Sequence, residues 1–159
     1  MRTLAVRLTP GTDLKSALER LTEERGLRAG CVLSCVGSLA SARLRMPGAA
    51  GEADDIRSFD EPTEIVSLGG TMGPDGLHLH IALSRADGAV VGGHLVGGCI
   101  VRTTAELVIG ELSDVEFRRL PDPATGYAEL AVEPRAPQAA APAPHPARRS
   151  RSTRRSKPS

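Results

Sequence analysis

Residues 78–95 read HLHIALSRADGAVVGGHL, and they hold three of the chain's four histidines, His78, His80 and His94. In an extended strand, residues i and i+2 share a face. His78 and His80 therefore point one way, and Leu77, Leu79 and Ile81 the other. Asp87-Gly88 is a turn signal. Counted from Asp87, His80 lies seven residues before and His94 seven after. A hairpin centred there sets His94 opposite His80. Gly92 and Gly93 allow a close backbone approach, or a positive φ, beside His94.

Three neutral imidazoles placed in this way can meet one ion at about 2.0–2.1 Å each. Three ligands with an open fourth position form the pattern of a reactive zinc site, in which the metal acidifies a water or polarises a carbonyl. Imidazole also suits nickel, copper and iron. The competing reading is three half-exposed histidines on a sheet face. Glu64 and Glu106 are candidate carboxylates to orient ligands or act as bases, or else ordinary surface acids. Gly-Ser in VGSLA lacks the G-x-S-x-G frame of a nucleophile elbow. The Gly-Gly pairs lack the GxGxxG strand-to-helix context of a nucleotide fingerprint.

The same alternation extends in both directions from the histidines. EIVSLGGTM precedes LHLHIAL across the turn Gly73-Pro74-Asp75-Gly76. AGCVLSCV reads as a buried strand, and ASARLRM as a second strand with one wet face. TLAVRL alternates at the N-terminus, and TTAELVIGEL and VEFRRL close the domain. The segment MPGAAGEADDIRSFDEP reads as loop. TDLKSALERLTEERG places Leu14, Ala17, Leu18 and Leu21 on one helical face. Thr12 or Asp13 can cap its start and Gly26 its end. Many short strands, tight turns and one early helix predict an α+β domain with a mainly antiparallel sheet.

The chain has 159 residues, which suits one domain with an extension. Of its 20 Lys/Arg and 19 Asp/Glu, seven and one fall in residues 131–159, which leaves 13 and 18 in residues 1–130. A globule of net charge −5 thus carries a tail of +6. The tail is rich in Ala and Pro, then in Arg and Ser, and has too little bulky apolar surface to offset its ordering entropy. It is expected to be disordered, with the boundary near Leu130. Its cations Arg148, Arg149, Arg151, Arg154, Arg155 and Lys157 are candidates for nucleic-acid contact. With few aromatics in the chain, base stacking is not expected. The odd number of cysteines (Cys31, Cys35, Cys99) and the absence of Cys-x-x-Cys point to free thiols and a reducing, cytoplasmic setting. The N-terminus does not read as a signal peptide, and no apolar run approaches the length needed to cross a bilayer.

The ordered set RAGCVLSCVGSLASARLR, EIVSLGGTM, LHLHIALSRADGAVVGGHLVGGCIVRTTAELVIGEL and FRRLPDPATGYAEL resembles the plants-and-prokaryotes conserved (PPC) domain over most of residues 1–130. The resemblance implies an α+β fold that assembles as a homotrimer. It also implies a divalent metal, with zinc expected, on His78, His80 and His94. A more distant similarity of fold links the family to acetolactate decarboxylase. In plants the domain follows AT-hook DNA-binding motifs. Here the AT-hook core Arg-Gly-Arg-Pro is absent. The plant partner-binding motif Gly-Arg-Phe-Glu-Ile is reduced to Glu61-Pro62-Thr63-Glu64-Ile65, which keeps only its last two residues.

The sequence therefore predicts a trimeric, metal-binding PPC-domain protein of DNA-binding or regulatory type, which touches nucleic acid without sequence preference through its basic tail. Two other functions fit the same residues. One is a zinc-dependent lyase or hydrolase acting on a small oxygenated substrate. The other is an assembly module that a metal stabilises.

Overall fold

A computed structural model describes residues 1–48 and 55–135. The expected tail cations, Arg148 to Lys157, lie outside the described residues, as does the expectation of disorder for most of that segment. The element order is β1 (Arg2–Leu8), α1 (Leu14–Arg25), β2 (Gly30–Arg45), β3 (Ile56–Phe59), β4 (Thr63–Gly73), β5 (Gly76–Ser84), β6 (Val90–Leu95), β7 (Ile100–Glu111), β8 (Val115–Pro121) and β9 (Ala128–Pro134). Seven strands form one antiparallel sheet, and β8 and β9 form a separate hairpin. This is the expected α+β class.

One strand organises the sheet. The two strands expected in AGCVLSCV and ASARLRM are a single 16-residue strand, β2. Its pairing with β7 shifts register between Val32 and Ser34, between Gly37 and Leu39, and between Leu39 and Ser41. Such bulges bend a strand without ending it, and so the break in alternation at GSL is a bend rather than a turn. Leu39 pairs with both Thr63 of β4 and Val101 of β7, which puts β4 and β7 on opposite edges of β2. Further along, Leu44 and Arg45 pair with β3 on one edge and with β6 on the other. β3 arises within the segment expected to be loop, because Ile56–Phe59 continues the β4 edge of β2.

The circuit then closes. β4 pairs with β5, β5 with β6, and β6 returns to β2 through Leu44↔Leu95 and Arg45↔His94. Inward-facing Leu39, Leu44, Ile65, Leu68, Leu79, Ile81, Leu83 and Leu95 are buried in one continuous apolar core with Leu14 and Leu18 of α1. Cys35 and Cys99 lie in that core and Cys31 is half-buried; all three are free thiols. Burial pushes the Cys35 and Cys99 thiols up to about 11, so they stay protonated and pack as small apolar groups.

α1 is fixed at its start by Asp13. The Asp13 carboxylate accepts from the Ser16 amide at 2.8 Å and from the Gly98 amide at 2.6 Å. It thus caps the helix and ties it to the β6–β7 connection. Burial raises the Asp13 pKa, but the two amide hydrogen bonds outweigh burial, and the net shift is downward. A carboxylate with a lowered folded-state pKa stabilises most above its unfolded value, and that stabilisation is lost as the pH falls through the folded value. Asp13→Ala is expected to lower stability by about 1 kcal/mol near neutral pH. The gap between wild type and variant should narrow below the ordinary carboxyl value of 3.8. Denaturant midpoints of both proteins from pH 7 to pH 3 test this, and a gap constant across that range would contradict it.

The β8–β9 hairpin is fastened by its own sequence pattern. Phe117 is buried and its amide donates to the Arg28 carbonyl at 2.9 Å. The Arg28 guanidinium grips Glu116 through two hydrogen bonds of 2.5 and 3.0 Å. Arg118 Nε donates to Asp75 Oδ2 at 2.7 Å. β9 continues to Pro134, past the expected boundary at Leu130, because Leu130 and Val132 keep the strand alternation against Arg119 and Phe117.

Candidate metal centre

The β5–β6 hairpin turns at Arg85–Ala89, where the Arg85 amide donates to the Ala89 carbonyl at 2.9 Å. His80 pairs directly with His94, as the count from Asp87 predicts. His78 lies two residues back on the same strand, with Leu79 and Ile81 in the core beneath. Gly93 is a close-approach position: a Cβ there would stand 2.8 Å from the Arg45 carbonyl oxygen and 2.9 Å from Met46 Cε. A side chain at Gly93 would therefore push β6, and His94 with it, away from β2.

The three rings face one another with centroids 5.1–5.4 Å apart. One nitrogen from each lies within 4.8 Å of the others. His78 Nε2 and His80 Nε2 are 3.2 Å apart. Two nitrogens each about 2.0–2.1 Å from a tetrahedral ion would be separated by roughly that distance. His94 Nδ1 is buried with no hydrogen-bond partner among the described residues. Burial first, then the charge of Arg45, pushes His94 down to about 4. Burial, followed by the charge of Arg119, also lowers His78. Both rings are therefore neutral at pH 7. A soft-to-borderline divalent ion fits this donor set.

The histidines line a cavity of about 570 Å³. Its other walls include Arg45 and Met46 from the end of β2, Leu77 from β5, Arg119 from β8 and Tyr127 and Glu129 from the β8–β9 hairpin. Glu64 and Glu106 are not among the lining residues. They sit on exposed positions of β4 and β7. Among the described residues, the acids that do reach the cavity are Asp55, Asp75 and Glu129. Sequence reading missed Arg45, Arg119 and Glu129, because the β2–β6 closure and the docking of the hairpin bring them together. The one local signal was the alternation of Arg43 and Arg45, read as a wet strand face.

The family model of the Plants and Prokaryotes Conserved (PCC) domain matches residues 1–113. The chain belongs to the PCC family. This is the PPC domain to which the sequence motifs pointed. The matched residues carry β1 to β7, and with them all three histidines. Among relatives, the bifunctional protein GlmU of a Synechococcus strain is 46% identical over 141 residues, 89% of this chain. The chain spans 22% of that longer protein. The AT-hook motif nuclear-localized protein 16 of Arabidopsis thaliana is 32% identical over 128 residues, which is 76% of this chain and 48% of the plant protein. A solved structure from Salmonella enterica is 41% identical with a TM-score of 0.79, covering 85% of this chain and 95% of that one. A metal-containing protein from Archaeoglobus fulgidus is 28% identical with a TM-score of 0.73, covering 82% of this chain and 94% of that one.

No helix among the described residues is long and apolar enough to cross a membrane.

Proposed function

We propose that this PCC-domain protein holds one divalent transition metal, zinc by preference, on His78, His80 and His94. The observation that carries this reading is the meeting of three histidine nitrogens within 4.8 Å at the wall of a cavity. A similar protein is described as metal-containing. Bound there, the ion supplies a Lewis acid beside the cavity. The chain's own residues hold the rings neutral, set their spacing through the hairpin register and place Arg45, Arg119 and Glu129 around the space. Metal content of wild type against His80→Ala is the test.

The regulatory, DNA-contacting reading rests on separate support. A relative named for an AT-hook shares the domain, and the sequence beyond the described residues supplies Arg148, Arg149, Arg151, Arg154, Arg155 and Lys157. Those cations would release counterions from any duplex, giving weak binding that weakens steeply with salt. Removing residues 136–159 is expected to abolish duplex retention at low salt while leaving metal content unchanged. Filter binding from 25 to 200 mM salt checks this, and a truncated chain that binds as well as the full chain overturns the role of the tail.

Self-association into a homotrimer belongs to the same proposal. Exposed Val36, Val66 and Val108 on the adjacent strands β2, β4 and β7 offer apolar surface for it. Mass in solution by sedimentation reads the state directly. Three free thiols suit a reducing compartment such as the cytoplasm.

A further inference from the structure

We propose that the cavity beside the three histidines takes a small organic carboxylate, with the Arg119 guanidinium as its charge partner. The inference rests on the metal reading, because the same cavity is walled by His78, His80 and His94. It adds a ligand class and a recognition residue that lies outside the stretch matched by the family model, residues 1–113.

Among the described residues, three carboxylates line the cavity, Asp55, Asp75 and Glu129. Two of these are already engaged. Asp55 accepts from Arg57 at 2.9 and 3.2 Å. Asp75 accepts from Arg118 Nε at 2.7 Å and from the Arg119 amide at 3.0 Å. Arg119 also lines the cavity, and among the described residues no carboxylate comes within ion-pair distance of its guanidinium. Its Nη2 donates to Thr71 Oγ1 at 2.8 Å. That bond and the backbone anchor on Asp75 fix the side chain in place. A guanidinium carries five N–H donors, so a neutral hydroxyl partner leaves most of them to a ligand.

Shape and polarity narrow the class. A planar fork of donors matches a planar carboxylate, and charge-assisted pairs of this kind are the stronger hydrogen bonds. Leu77, Met46 and Tyr127 give the cavity apolar wall, on which an inorganic anion would bury nothing. Glu129 disfavours a multiply charged ligand. A monoanionic organic acid with a small apolar body meets all three conditions. Arg119, Tyr127 and Glu129 all come from the β8–β9 segment. On this reading the conserved-domain core supplies the histidines and the appended hairpin selects the ligand.

The test uses the full chain loaded with Co(II), whose visible spectrum reports on groups near the ion. Equilibrium dialysis first measures cobalt content. Lactate is then titrated, with neutral lactamide and inorganic phosphate in parallel. The expected result is saturable perturbation by lactate, with weaker binding of lactamide and phosphate. Arg119→Gln should weaken lactate by roughly tenfold or more with cobalt content unchanged, and Arg119→Lys should recover part of the loss. Glu129→Gln, which does not disturb the Thr71 anchor, should tighten lactate. Cobalt uptake without a lactate response, equal binding of lactamide, tighter binding of phosphate, or insensitivity to both Arg119→Gln and Glu129→Gln each overturns the carboxylate site alone. Failure to take up cobalt overturns the metal reading and this inference with it.

Discussion

His80→Ala is expected to reduce bound zinc from about one ion per chain to less than about a tenth of that, because a three-ligand centre loses one of its three members. His80 shares a face with His78 on β5 and a pairing position with His94 on β6. Removing it leaves only two of the three rings, His78 and His94, whose centroids lie 5.2 Å apart. The side chain is exposed, so its loss should change the stability of the metal-free protein by no more than roughly 0.5 kcal/mol. This separates loss of metal from loss of fold. An ion that binds the folded chain stabilises it by about 2.7 kcal/mol at a hundredfold excess over Kd. Adding zinc should therefore raise the Tm of wild type and leave that of His80→Ala unmoved. Metal analysis and thermal melts with and without zinc give the two readings. A variant that keeps wild-type metal content, or a wild type that takes up no zinc, would remove the centre.

Gly70→Ala should be the most damaging single substitution near the site, lowering stability by roughly 3 kcal/mol or more. Gly70 lies on β4 opposite Leu79. Its φ is +138°, a region that side chains rarely adopt. A Cβ there would overlap the His78 carbonyl oxygen and stand 2.9 Å from Leu79 Cα. The obstacle is backbone in the middle of a paired strand, so no rotamer change relieves it. Strain at a special φ and overpacking against the sheet add in the same direction. Relief requires β5 to move, and β5 carries His78 and His80. The variant should therefore lose both stability and zinc affinity, unlike His80→Ala, which should lose zinc alone. Denaturant unfolding combined with zinc titration distinguishes them. A folded Gly70→Ala protein with wild-type zinc uptake would show that the close approach of β4 to β5 does not govern the site.

These two variants also separate what local sequence encodes from what it does not. The pairing of His80 with His94 was legible because strand alternation has a period of two and the Asp-Gly turn fixes the register. α1 was legible because Leu14, Ala17 and Leu18 recur at helical spacing between a capping Asp13 and Gly26. β2 was not legible as one strand, because a bulge breaks alternation just as a turn does. β3 was missed because a four-residue strand has too short a pattern to separate it from loop; its pairing with β2 defines it. Glu64 and Glu106 were candidates by residue type and position, and the fold leaves both on exposed positions of β4 and β7 outside the cavity lining.

The sequence alone determined the antiparallel α+β class, the hairpin register and the grouping of His78, His80 and His94, since all of these follow from spacings within about twenty residues. The fold alone decided what surrounds them. Arg45 reaches His94 because β2 bends and pairs with β6, closing the sheet. Arg119 and Glu129 reach the cavity because Phe117, Glu116 and Arg118 fasten a separate hairpin to Arg28 and Asp75. Those contacts join residues from 43 positions apart (Arg118 and Asp75) to 89 positions apart (Phe117 and Arg28, 117 − 28). Periodicity carries no information over such distances, and they form because burial of Phe117 and pairing of charges favour one docked arrangement of two units that are each locally specified.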